Sequence, residues 1–264
     1  MKLREQGFEA IDIDIADTTS FLYTEPFEKA KDALLHHKKL IDEAGIEISQ
    51  THGPWRWPNR DYSQAERDEW LNKMQYSIRL TKVLDCKYFV IHPIMPFTVE
   101  DTVKGYEKET WELNLEFMRK LLVTAKEEDV TICLENMPFL KFSISTPEQI
   151  YKFIKEINDD HFKMCLDTGH TAVFYELDLA NEVRRIGDEL RVLHVHDSKW
   201  RIDCHMFPYF GRINWDEFAK ALKEVNYKGA FSLEAMPPKA LPDELFDMEG
   251  TLLCRLAANV CKDL

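Results

Sequence analysis

Six short apolar runs in this chain end on residues that titrate or bind metals: His52, His92, Glu135, Asp167 with His170 three residues on, His194 with His196, and Glu234. A histidine closing such a run, as in Thr51-His52-Gly53-Pro54 or Val90-Ile91-His92-Pro93, is equally compatible with a satisfied structural side chain. Carboxylates are more informative. Ile132-Cys133-Leu134-Glu135, Met164-Cys165-Leu166-Asp167 and Phe231-Ser232-Leu233-Glu234 each drive an acid straight off an apolar segment, where a charge is almost never placed without a partner. Three such acids at one place would repel one another and raise each other's pKa unless a cation sat between them. Mixed carboxylate and imidazole donors favour a divalent ion such as zinc or manganese over calcium, which prefers oxygen alone. His194 and His196 flank Val195, so on a strand both rings face one side, a spacing suited to one ligand and one outer contact. Asp203-x-His205 reads either as two further ligands or as a solvated loop. Cys133 and Cys165 sit two residues deeper than Glu135 and Asp167 and make poor ligands on that account.

For these residues to meet, their runs must lie side by side with one end in common. Strand-like patterns cover residues 10–15, 46–51, 88–92, 130–135, 162–167, 192–196 and 230–234; amphipathic helical patterns fall near 24–44, 63–84, 103–127, 147–157, 178–184, 215–225 and 245–260. The alternation is βα repetition without a linker. Most of the strands are apolar throughout, as parallel strands buried on both faces are, although the first two alternate with polar residues. Ser63 with Glu66, and Thr146-Pro147-Glu148-Gln149, read as helix starts. The expectation is one domain over residues 1–264, an α/β fold of the (β/α)8 TIM-barrel type, with the polar residues at the C-terminal mouth. Only seven strands are legible where a closed barrel has eight. Residues 1–7 read as the last turn of a helix stopped by Gly7, so the barrel is expected to lack its first strand, either through the choice of start site or because it is open, with edges that a neighbouring chain or loop must cover.

The composition narrows the functional classes. A formal charge of -13 disfavours nucleic acid, whose binding rests on neutralising phosphates, although a local basic patch can coexist with an acidic total. Six cysteines without a CxxC pair fit reduced, mostly buried thiols. The N-terminus lacks the apolar core of a signal peptide, and no run approaches the length of a membrane span, so a cytoplasmic enzyme is expected.

Glu135-Asn136-Met137-Pro138, Asp167-Thr168-Gly169-His170, His194-Val195-His196-Asp197, Asp203-x-His205-x-x-Pro208-x-x-Gly211 and the late Glu234, in that order, resemble the xylose-isomerase-like TIM-barrel superfamily. That group holds sugar and sugar-phosphate isomerases and epimerases, inosose-processing enzymes and DNA-repair enzymes of the endonuclease IV type. In the ketose 3-epimerase branch the resemblance implies one metal held by Glu135, Asp167, His194 and Glu234, with Glu135 and Glu234 doubling as acid and base. It further implies substrate contacts from His170 and from basic residues near the mouth such as Lys199. The chemistry would be proton transfer through a metal-stabilised enediolate. In the endonuclease IV branch the resemblance implies three zinc ions and nine ligands, for which the chain offers His52, His92, Glu135, Asp167, His170, His194, Asp203, His205 and Glu234.

Charge leans away from DNA repair, and so does Gly53-Pro54-Trp55-Arg56-Trp57-Pro58-Asn59-Arg60, which is unlike that branch's intercalating loop. The missing first βα loop would remove a further DNA contact. Trp55 and Trp57 fit either a cover for the apolar face of a small polyol or packing at the rim. The expected activity is therefore metal-dependent isomerisation or epimerisation of a small sugar, sugar phosphate or related polyol carbonyl compound. The alternatives are an inosose-type dehydratase, a trinuclear phosphodiesterase and a non-catalytic sugar-binding barrel. Exposed strand edges together with the resemblance point to a homodimer.

Overall fold

Short β-rich runs and capped amphipathic stretches alternate strictly along the chain. In the computed structural model, which describes residues 2–55, 61–236 and 241–264, helix α1 (Lys2–Gln6) ends at Gly7, whose φ of 107° suits only glycine, and leads into β1 (Ala10–Asp14). Helices α2 (Phe21–Thr24) and α3 (Phe27–Glu43) follow, separated at Pro26, and then come β2 (Glu47–His52), α4 (Gln64–Val83) and β3 (Tyr88–Ile91). The helix expected over 103–127 is also two: α5 (Asp101–Lys104) stops at Gly105, left-handed at φ 74°, before α6 (Glu107–Glu127). Next are β4 (Thr131–Glu135), α7 (Pro147–Ile157), β5 (Phe162–Asp167), α8 (Thr168–Ala172), α9 (Leu179–Ile186) and β6 (Leu190–His194). The remainder is β7 (Asp197–Lys199), β8 (Ile202–Met206), α10 (Trp215–Glu224) and α11 (Phe246–Cys261). Both expected capping boxes form, Ser63 with Glu66 and Thr146 with Gln149.

Strands β1 to β6 pair in sequence order, all parallel, and curl into a half-barrel with the helices outside. Period-2 alternation decides what faces the interior. On β4, Ile132 and Leu134 join the large core between sheet and helices, while Cys133 joins Val90, Cys165 and Val192 in a small apolar layer contributed by β3 to β6. One step further along each strand come His92, Glu135, Asp167 and His194. That register seats the polar ring directly on a dry floor.

Two expectations are corrected. Residues 230–234 form no strand: the segment touches the sheet through one parallel bridge, Val195 to Leu233. Val195 donates to the Ser232 carbonyl at 2.8 Å and Glu234 to the Val195 carbonyl at 3.0 Å. The segment has a ladder on one side only; on the other a cavity of about 1190 Å³ separates it from β1, lined by Ile11, Asp12, Ser49, Tyr88, Phe231 and Leu233 among others. Among the described residues no further strand occupies that gap. Likewise, Asp203 and His205 lie in the antiparallel β7–β8 hairpin rather than in a loop. Ser198 is its internal staple, donating to the Ile202 carbonyl at 3.0 Å and accepting from Cys204 N–H at 2.9 Å. Among the described residues no helix is long and apolar enough to cross a membrane.

Candidate active site

Glu135, at the end of β4 and 1% exposed, is the hub of the mouth. Its Oε2 lies 3.0 Å from His92 Nε2 and 3.4 Å from His52 Nε2, and its Oε1 lies 3.1 Å from His194 Nδ1 and 3.4 Å from His170 Nδ1. Burial pushes its pKa up, but the surrounding imidazoles, His194 and His92 foremost, overcome this and hold the carboxyl well below the usual range. Asp167, fully buried at the end of β5, accepts from the His170 main-chain N–H as the N-cap of α8 and meets His196 Nε2 at 3.0 Å. Asn136 fixes the neighbouring backbone, donating to the Asp167 carbonyl at 3.0 Å and accepting from Asp167 N–H at 2.8 Å.

The ligand atoms fall into overlapping sets, within each of which every pair lies inside 4.8 Å. One is Glu135, Asp167, His194 and Glu234. A second is His52, His92 and Glu135, and a third is His170, His196, Asp203 and His205. Glu135 and His194 also form a set with Cys165. The alternation that carries Asp167 to the interior carries Cys165 there too, immediately below, where burial pushes its thiol pKa far up. In the third set, Asp203 Oδ2 sits 3.3 Å from both His170 and His205. His205 holds φ 46°, an unusual left-handed conformation for a non-glycine residue, while its carbonyl accepts from Met236 N–H at 2.9 Å.

The first set passes a donor test for a divalent cation. His194 Nδ1 and Glu234 Oε2 are buried, 3.5 Å apart, and neither finds a hydrogen-bond partner in the protein. Glu234 is pushed up to about 7, chiefly by burial and, against the pull of His194, by Glu135 and Asp167. Carboxyls and imidazoles that crowd in this way, with unpartnered lone pairs converging, are what an ion would relieve.

Trp55 meets the edge of His92 with ring centroids 4.4 Å apart and packs against the core. Trp57 lies outside the described residues. Lys199 is exposed at the end of β7. His194 and His196 separate as their spacing suggests, the former in the first set and the latter in the third.

Gly169 shows how tightly the third set is packed: a Cβ there would lie 1.9 Å from His196 Cε1. Gly169→Ala should therefore displace the ring and cost about 1–3 kcal/mol or more of stability, read as a lower denaturant midpoint; an unchanged midpoint would contradict the packing. Protons in this region are also linked to folding. Burial lowers the pKa of His170 and of His205, but carboxylates, Asp167 and Asp203 first, win and raise them to about 10 and about 9. Unfolded histidines titrate near about 6.5, so the stability these groups contribute is fully present below that pH and is lost as pH rises through 9 to 10. Glu234, raised to about 7, acts with the same sign at lower pH. The Tm of chelator-stripped protein should fall between pH 6 and about pH 10; a rising Tm would contradict this.

A curled parallel sheet that gathers acids and imidazoles at the C-terminal ends of its strands is the arrangement found at the mouth of a TIM barrel. The chain belongs to the xylose isomerase-like TIM barrel family, whose model matches residues 2–248. A D-psicose 3-epimerase of Enterocloster bolteae is 26% identical over 242 residues, 88% of this chain and 74% of that protein. Among solved structures, the D-psicose 3-epimerase of Clostridium cellulolyticum H10 crystallised with D-tagatose superposes with a TM-score of 0.78 at 19% identity, covering 98% of this chain and 91% of the other. The IolI protein with a bound zinc atom gives 0.77 at 19% identity, covering 99% and 91%.

Proposed function

We propose that this protein is a metal-dependent epimerase or isomerase of a small sugar, sugar phosphate or related polyol carbonyl compound. The observation that carries the reading is the convergence of Glu135, Asp167, His194 and Glu234 ligand atoms within 4.8 Å; the named relatives support the substrate class. Those four residues would hold a divalent ion, zinc or manganese by donor type. Such an ion would polarise a substrate carbonyl and its neighbouring hydroxyl, making the proton between them acidic. Glu135, held ionised by its imidazoles, is suited to accept that proton; Glu234, poised at about 7, is suited to deliver one. Inversion follows if the proton leaves one face and returns to the other. His170, His196, Asp203 and His205 line the remainder of the mouth and are suited to hold substrate hydroxyls.

One observation favours a second reading. The three sets together span all nine residues expected for a trinuclear centre, with His196 added, which suits a phosphodiesterase. Metal analysis of purified protein separates the two. The epimerase reading expects about one tightly held equivalent per chain and turnover of ketoses; three tight equivalents with cleavage of phosphate esters would overturn it.

A further inference from the structure

The edges of the six-stranded sheet, β1 and β6, are not hydrogen-bonded to each other, yet polar side chains reach across the interior between them. Asp12 on β1 is the register partner of Gln50 on β2, and Gln50 Nε2 donates to Asp12 Oδ2 at 2.9 Å. The same amide also reaches the Leu193 carbonyl on β6 at 3.3 Å. Beyond it, Asp12 Oδ2 lies 3.3 Å from His194 Nε2. His194 is thus flanked by carboxylates at both ends of its ring, Nε2 lying 3.3 Å from Asp12 and Nδ1 3.1 Å from Glu135 and 3.5 Å from Glu234, while neither nitrogen forms a hydrogen bond within the protein. Its lower flank is Cys165, and the His52 ring stacks beside it at 5.5 Å between centroids.

An imidazole offers two chemically distinct nitrogens, and a carboxylate beside one of them fixes the proton there, leaving the other bare and more basic. We propose that Asp12, anchored by Gln50, is the positioning residue for His194, keeping the proton on Nε2 so that Nδ1 presents its lone pair to a cation shared with Glu135, Asp167 and Glu234. Asp12 touches neither that cation nor substrate; it acts through the ring. Gln50 adds the mechanical half, tying the Asp12 carboxylate and the β6 backbone to one amide, so the ring's orientation follows the separation of the two sheet edges. The β1–β2 register shifts between Ile11 and Asp12, where β2 contributes the extra residue Ser49.

The inference rests on the metal reading above. It is tested by titrating zinc into the chelator-stripped full chain against a competing chelator, with wild type, Asp12→Asn and Gln50→Leu compared. Asp12→Asn keeps size but loses charge and should weaken zinc binding by about 10–100-fold, with the Tm of the stripped protein and its far-UV circular dichroism unchanged. Gln50→Leu leaves the carboxylate in place but unanchored and should weaken binding by a smaller factor, so it decides the matter should Asp12→Asn fail to fold. Affinities of the folded variants within about twofold of wild type would overturn the role of Asp12 while leaving the metal reading intact. Failure of wild type itself to take up zinc or manganese would overturn both.

Discussion

Glu234→Gln should reduce kcat for ketose epimerisation by about 10²–10⁴-fold, the range that general acid–base groups supply, while the protein remains folded. Glu234 is reached from the sheet by a single bridge, and its Oε2 is buried without a hydrogen-bond partner, with His194 Nδ1 at 3.5 Å as a charged neighbour, so no hydrogen bond through that atom is lost. Burial holds the carboxyl at about 7, near the point where a group both gives and takes protons at neutral pH. An amide of the same shape does neither. The comparison to make is kcat against KM at equal metal content: loss concentrated in kcat, with ketose binding and the bound ion retained, marks a proton-transfer role. An undiminished kcat would remove Glu234 from the chemistry.

Glu135→Gln should have the larger structural consequence. This carboxylate contacts His52, His92, His170 and His194, all within 3.4 Å, and it belongs to three of the four ligand sets. Removing one partner of a buried ionic group costs about 3–5 kcal/mol, because the charges left behind lose both water and counter-charge. Chelator-stripped Glu135→Gln should therefore unfold at markedly lower denaturant concentration than stripped wild type, and its affinity for a divalent ion should fall by roughly two to three orders of magnitude, the equivalent of that free energy. Retained stability and ion uptake would mean that Glu135 is incidental to both.

The parts of the site that could be read from sequence were those that break a rule. Glu135, Asp167 and Glu234 were visible because an acid closing an apolar run has no structural excuse, and the fold brings all three within one ligand set. His194 and His196, paired by their spacing, fall in two different ligand sets. The hairpin was missed because Asp197-Ser198-Lys199 carries none of the β-branched or aromatic residues that announce a strand; its order comes from the Ser198 staple and from buried Asp197, which accepts from Trp215 Nε1 at 2.9 Å. Residues 230–234 had strand composition, but composition cannot reveal that one edge faces a cavity. Asp12 was overlooked although its signal was present: Ile11-Asp12-Ile13-Asp14 alternates so that its acids share a face. What alternation alone does not say is whether that face looks at water or at the interior. Asn136 was hidden for a related reason, since it sits beside a residue that already accounted for its segment.

The most direct test is to incubate the metal-loaded protein with D-psicose, D-tagatose, D-fructose and L-ribulose in deuterium oxide and follow the carbon next to the carbonyl by NMR. The proposed reaction predicts solvent deuterium at that carbon together with formation of the epimer, both abolished by a chelator and by Glu135→Gln. Retention of the original hydrogen in every sugar, from protein shown to carry its ion, would contradict proton transfer at this site.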